Sequence, residues 1–158
     1  MNPAHAAAAP ARLRALAEAL PALAAAARKR EPEALHDLRV HCRRLEVELR
    51  LWCRPRVVAS ARRGVRRLRR AAGPVREQEV LARMLREARA GARAIAPTTR
   101  GHWAGELERT VERASARISG PRAVARLVRA VLEPAAGLDA ESAASRATRA
   151  RERLQKWR

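Results

Sequence analysis

The chain has 158 residues, and 35 basic side chains against 16 acidic ones give it a formal charge of +19 at pH 7. Self-repulsion on that scale is costly and persists only where an anionic partner is present for much of the time. Phe and Tyr are absent, strand-forming runs are missing and no apolar run reaches transmembrane length. These features exclude a sheet protein and a membrane span, and predict an all-α protein, an antiparallel helical bundle.

Residues 1–10 are expected to form a disordered N-terminal tail, and 11–158 a single helical domain. From Ala11 to Arg30, Leu13, Leu16, Leu20 and Leu23 keep helical spacing, with Pro21 predicting a kink or break. The next helix, over 32–53, opens with Pro32 in its first turn and is closed by Pro55, which pushes the preceding residue out of the α region. Its apolar residues Leu35, Leu38, Cys42, Leu45, Leu49 and Trp52 step by three and four, the spacing of a buried stripe.

Beside that stripe runs a second row, His36, Arg39, Arg43 and Arg50. At about 100° per residue these four share a wedge of roughly 60°, centred about 110° from the apolar stripe. Val40, Val47 and Leu51 form an apolar strip on the far side of the wedge, so the row reads as the floor of a groove. Asp37, His41, Arg44 and Glu48 make up the solvent face.

A third helix, over 56–72, buries Val58, Ala61, Val65, Leu68 and Ala72. Arg62, Arg66 and Arg69 flank its stripe, and Arg63, Arg67 and Arg70 point further out. Six arginines in nine residues repel one another strongly, which a bound anion or nearby carboxylates would relieve; Arg63 and Arg67 are expected to be solvated. Gly73-Pro74 predicts a stop and restart, followed by a helix over 74–95 with Val80, Leu81, Met84, Leu85 and Ala88 inward. Pro97-Thr98-Thr99 makes a turn, and a helix to Ile118 carries His102, Trp103, Leu107 and Val111. Ser119-Gly120-Pro121 breaks it, a shorter helix covers 121–133, Pro134 to Asp139 is a loop, and a polar helix with Arg146, Arg149 and Arg153 fills 140–157.

Lys29 and Lys156 are the only lysines. Guanidinium groups bind phosphate oxygens bidentately, so this usage favours a phosphate-bearing partner over a diffuse field. Cys42 and Cys53 lie about 16 Å apart if helical, too far to bridge, and nothing else suggests an oxidising compartment. The Ala-rich N-terminus makes a poor signal peptide, and the expected location is the cytoplasm.

The string His36-x-x-Arg39-x-x-x-Arg43-Arg44-Leu45, preceded by Pro32-Glu33-Ala34-Leu35, resembles the first motif of the CHAD family, the conserved histidine α-helical domain. Gly73-Pro74-Val75-Arg76-Glu77-Gln78-Glu79-Val80 is similar to the family's Gly-x-x-Arg-Asp-x-Asp-Val block, with glutamate at both aspartate positions. The resemblance is carried by residues 11–95. It implies a helical bundle whose basic surface binds inorganic polyphosphate, in proteins associated with polyphosphate granules or fused to triphosphate-processing domains.

By position the resemblance assigns His36, Arg39, Arg43 and Arg76 to polyphosphate binding; Arg50, Arg62, Arg66, Arg69 and Arg70 fit the basic surface by type. Glu46 stands where the family has a basic residue, within reach of Arg43 or Arg50. A full family domain has two related halves, so the chain resembles a shortened form covering about one half. Either it acts so, or two copies pair about a twofold axis as a homodimer.

Single-strand nucleic-acid binding leans on aromatic platforms, and Trp52, Trp103 and Trp157 are scattered. No phosphate-binding loop, helix-turn-helix or zinc pattern is present. His36 and His41 stand about 140° apart on their helix and do not chelate one metal. The expectation is a non-enzymatic polyphosphate binder with no cofactor, no metal and no catalytic residue; a non-specific nucleic-acid-binding protein is the alternative.

Overall fold

Alanine and leucine at three-and-four spacing dictate the fold, because short apolar side chains let helices approach closely along a continuous stripe. The computed structural model of the chain describes residues 7–31, 33–75 and 97–138, together with Ser145 and Thr148; of 97–100 it describes the backbone only. Five helices lie in these residues: α1 (Ala9–Arg28), α2 (Ala34–Trp52), α3 (Ala59–Ala71), α4 (Pro97–Arg117) and α5 (Pro121–Ala136). No strand occurs among the described residues, as the composition required.

α1 packs on α2 and α5, α2 on α3, and α3 on α5, so these four close a ring around one core while α4 touches α1 and α3. The chain directions follow from the contacts. Arg12 and Leu16 of α1 meet Glu48 and His41 of α2, and Arg39 and Glu46 of α2 meet Gly73 and Arg69 beside and on α3. Both neighbours therefore run antiparallel to α2. The predicted α2 stripe is buried in full, from Leu35 to Trp52, as is the α3 stripe from Val58 to Ala72. Each buried leucine there contributes about 1.5–3 kcal/mol. On α3, a Cβ added at Gly64 would lie 2.7 Å from Leu127 Cδ1, so this glycine sets how closely α3 and α5 approach.

Several boundaries differ from expectation. α1 begins at Ala9, inside the stretch expected to be a tail, and Ala9 is wholly buried. α1 also continues through Pro21, because Leu13, Ala17 and Leu20 before it and Ala24 and Ala27 after it are packed in the same core. α5 runs through Pro134 to Ala136 for the same reason, since Val131 and Ala135 on either side are buried. α3 starts at Ala59, three residues later than expected. α2 runs from Ala34 to Trp52 against an expected 32–53, with Glu33 left-handed before it and Cys53 already extended, two residues ahead of Pro55. The link from α1 to α2 holds Arg30 and Glu33 at positive φ, 62° and 60°. The expected helices over 74–95 and 140–157 lie outside the described residues, apart from 73–75, which are helical, and Ser145 and Thr148.

Candidate anion-binding face

α2 presents different chemistry to its two neighbours. Toward α1, Glu48 accepts hydrogen bonds from Trp52 Nε1 at 2.6 Å and from Arg12 Nε and Nη2 at 3.3 Å each. Arg12 also lies over the Trp52 ring, 5.8 Å from its centroid. His41 Nε2 donates to the Leu16 carbonyl oxygen at 2.6 Å. His41 and Glu48 were expected on the solvent face; both are half-buried and fasten α1 to α2, because α1 covers that side of the helix. Asp37 and Arg44 are exposed as expected.

Toward α3 the seam is cationic. Glu46, 7% exposed, lies at its middle. Arg50 Nη2 donates to Glu46 Oε1 at 3.2 Å, Arg66 Nη2 approaches the same oxygen at 3.6 Å, and Arg69 Nε lies 3.3 Å from Oε2. The Arg69 Nε–H does not point at that oxygen, so the contact is one of charge without a hydrogen bond. Arg43, the other partner expected for Glu46, is exposed and makes no ion pair.

Further along, Arg39 Nη1 donates to the Gly73 carbonyl oxygen at 3.2 Å, and a Cβ on Gly73 would lie 3.4 Å from the same nitrogen. A guanidinium thus rests on the backbone just past α3. Arg62 is half-buried, and its Nε has no hydrogen-bond partner; the same holds for Nδ1 of half-buried His36. Buried polar atoms are normally satisfied within the protein or by something bound to it. Cys42, in the stripe beneath, is also coupled to the seam. Burial pushes its thiol up to about 12, with the Arg69 charge opposing the rise and the Glu46 charge adding to it.

Of the residues singled out from the sequence, Arg50, Arg66 and Arg69 converge on Glu46 in the α2–α3 seam, Arg39 reaches Gly73 beyond α3, and Arg62 is half-buried on α3 with no ion pair or hydrogen bond to α2 among the described residues. His36 lies at one end of the α2 row, Arg43 and Arg70 are exposed, and Arg76 falls outside the described residues. The expected second apolar flank is not a wall. Val47 is 48% exposed and Val40 half-buried, while half-buried Leu51 packs against the core. Among the described residues the cationic row therefore borders α3 on one side and no continuous apolar wall on the other.

Sequence reasoning missed a second arginine cluster. Arg63 and Arg67 are exposed as expected, yet with Arg126 of α5 they rim a surface groove of about 280 Å³ floored by Leu68 and Leu127. Spacing on α3 announced two of these, but only the packing of α5 supplies the third. On α4, Glu106 is engaged by Arg109 at 2.7 Å and Arg113 at 3.8 Å; the Arg109 hydrogen bond, then its charge, holds that carboxyl below its ordinary value.

Among the described residues no group of His, Cys, Asp and Glu is arranged to hold a metal ion, and no helix is long and apolar enough to cross a membrane. A family model described as CHAD domain matches residues 7–158, well beyond the 11–95 that carry the recognisable motifs. Comparison with curated proteins and with solved structures gives no match.

Proposed function

The chain belongs to the CHAD domain family, which is linked in general with polyphosphate-related proteins, and from that premise we propose that its α2–α3 seam binds inorganic polyphosphate. The observation that carries the reading is the convergence of Arg50, Arg66 and Arg69 from two antiparallel helices on one carboxylate, Glu46, with Arg39 resting on the Gly73 carbonyl further along the same pair. From His36 to Arg50 the α2 row spans about 21 Å at 1.5 Å per residue. A run of that length suits a flexible chain of phosphates better than one isolated phosphate group.

Arginine is the right donor for such a ligand, because each guanidinium offers a planar fork to two phosphate oxygens while keeping its charge at any accessible pH. Polyphosphate has no bases, so its recognition has no use for stacking surfaces. The seam offers none: Trp52 is buried in the core, and Trp103 pairs edge-on with His102 on α4, 5.8 Å between centroids. His36 Nδ1 and Arg62 Nε, buried and without hydrogen-bond partners among the described residues, are available to phosphate oxygens. The role is non-catalytic, cytoplasmic and granule-associated, and pairing of two copies would extend the basic face across a twofold axis.

Two measurements test the reading. Polyphosphate should displace labelled duplex DNA at equal phosphate concentration far better than DNA displaces polyphosphate; the reverse order would favour a nucleic-acid-binding protein. Arg39→Ala with Arg43→Ala should weaken polyphosphate binding well beyond Arg63→Ala with Arg67→Ala, which removes the same charge from the other side of α3. Equal losses would mean that bulk charge does the binding and the seam has no special role.

A further inference from the structure

Glu46 is an anomaly that the binding reading leaves unexplained: a buried carboxylate in the middle of a face built to attract anions. Buried carboxylates are costly unless paired, and this one has three cationic neighbours drawn from two helices. We propose that Glu46 is the resident anion of the seam, a carboxylate that balances Arg50, Arg66 and Arg69 while no ligand is present and that phosphate displaces when polyphosphate binds. The inference rests on the polyphosphate reading and names the residue that sets affinity within it.

The geometry favours exchange over permanent pairing. A tight charge-assisted N–H to carboxylate bond measures about 2.7–2.9 Å. The Glu46 contacts are 3.2, 3.3 and 3.6 Å, and only the first is a hydrogen bond. The three side chains remain 35–56% exposed although the Glu46 side chain is only 9% exposed. Each guanidinium thus turns one nitrogen toward the carboxylate and keeps other N–H groups for solvent or a ligand. Arg69 Nε–H is buried and unused. A phosphate chain entering above offers more acceptor oxygens than one carboxylate and better aim, so the guanidiniums can turn to it without leaving the seam.

Two consequences follow from displacement. Removing the carboxylate frees all three guanidiniums for the ligand, so affinity rises although the ligand-free protein loses an internal counter-charge. One more cation is then neutralised by phosphate instead of by Glu46, so one more counterion is released on binding.

The test is Glu46→Gln, with Glu18→Gln on the exposed face of α1 as a control of equal charge change. Binding of long-chain inorganic polyphosphate is measured by titration at several salt concentrations. Glu46→Gln should bind about fivefold tighter at low salt, the scale of one near-surface charge contact, with a log–log salt slope steeper by about one; Glu18→Gln should change little. Unchanged or weaker binding by a folded Glu46→Gln overturns the inference, weaker binding meaning that the carboxylate holds the guanidiniums in place for the ligand. Failure of the wild-type chain to bind overturns the polyphosphate reading itself. A measurement on the unmutated protein covers the case in which the variant does not fold. Carbon-13 resonances of the side-chain carboxyls should show Glu46 shifting on saturation with polyphosphate while Glu18 stays still, and a stationary Glu46 signal overturns the proposal.

Discussion

Replacing Arg66 and Arg69 together by alanine asks how much the charge cluster holds the α2–α3 pair. The variant leaves Glu46 buried with Arg50 as its remaining ion-pair partner. Bare Coulomb attraction at 3.3–3.6 Å would be about 4–5 kcal/mol per pair at an effective dielectric constant of 20. The arginine side chains, however, are 39% and 35% exposed, and neither contact removed is a hydrogen bond. Solvent screening and poor aim reduce each to about 1 kcal/mol, as for other partly exposed ion pairs. Relief of repulsion between the arginines returns part of this, while the less well neutralised carboxylate adds a desolvation cost of about 1 kcal/mol. The net loss is about 2 kcal/mol, which for a chain of this size lowers Tm by about 4–8 °C. Thermal unfolding followed by far-ultraviolet circular dichroism at pH 7 measures it. Arg63→Ala with Arg67→Ala removes the same charge from exposed positions and should leave Tm within about 1 °C, as surface substitutions do. Adding Glu46→Gln to the Arg66/Arg69 variant should cost less than it does in the wild-type background, by about 1 kcal/mol of coupling. Equal Tm shifts for the two double variants, or a strictly additive triple, would show that the cluster contributes nothing to the fold.

Two further expectations concern stability. The Cys42 thiol titrates at about 12 in the folded chain against an ordinary value of 9.0, so the folded state holds this proton more tightly than the unfolded one. Its contribution is fully present below pH 9 and is lost as pH rises toward 12; urea midpoints should fall across that range and fall less in Cys42→Ala, and equal slopes in the two proteins would refute the assignment. Glu33 holds φ at 60° with no side-chain capping bond, a conformation that costs a non-glycine residue about 1 kcal/mol. Glu33→Gly should therefore raise the urea midpoint slightly, whereas a fall would mean that the link between α1 and α2 depends on the glutamate side chain.

The two sides of α2 show why some of this molecule was readable in its sequence and some was not. The period of Leu35, Leu38, Cys42, Leu45, Leu49 and Trp52 fixed which face goes inward, and all six are buried. The same angular arithmetic put Arg39 and Arg50 on one flank, where the structure has them beside α3. Angle alone carries no information about which neighbour covers which flank. His41 and Glu48 read as solvent-facing because nothing in the local pattern says that α1 lies over them, and Val40, Val47 and Leu51 read as one packed strip although Val47 is exposed and only Leu51 packs against the core. Pro21 and Pro134 were read by their local rule, and tertiary packing on either side of each overrode it. The Arg126 contribution to the groove beside α3 depends wholly on long-range packing.

The thirteen residues of α3 carry six arginines and no acidic side chain, so any counter-charge must come from another element or from outside the chain. α2 provides one, Glu46, and it reaches only Arg66 and Arg69 of the six. On the opposite flank of α2, Glu48 meets Arg12 and a tryptophan N–H. Among the described residues, a glutamate directed into a helix–helix seam thus faces one guanidinium on that side and three on the other. Arginines crowded on one helix at three-and-four spacing destabilise that helix unless an anion offsets them. These arginines lie beside the α2 row that matches the family motif, so the polyphosphate proposed for that row would also relieve the repulsion on α3.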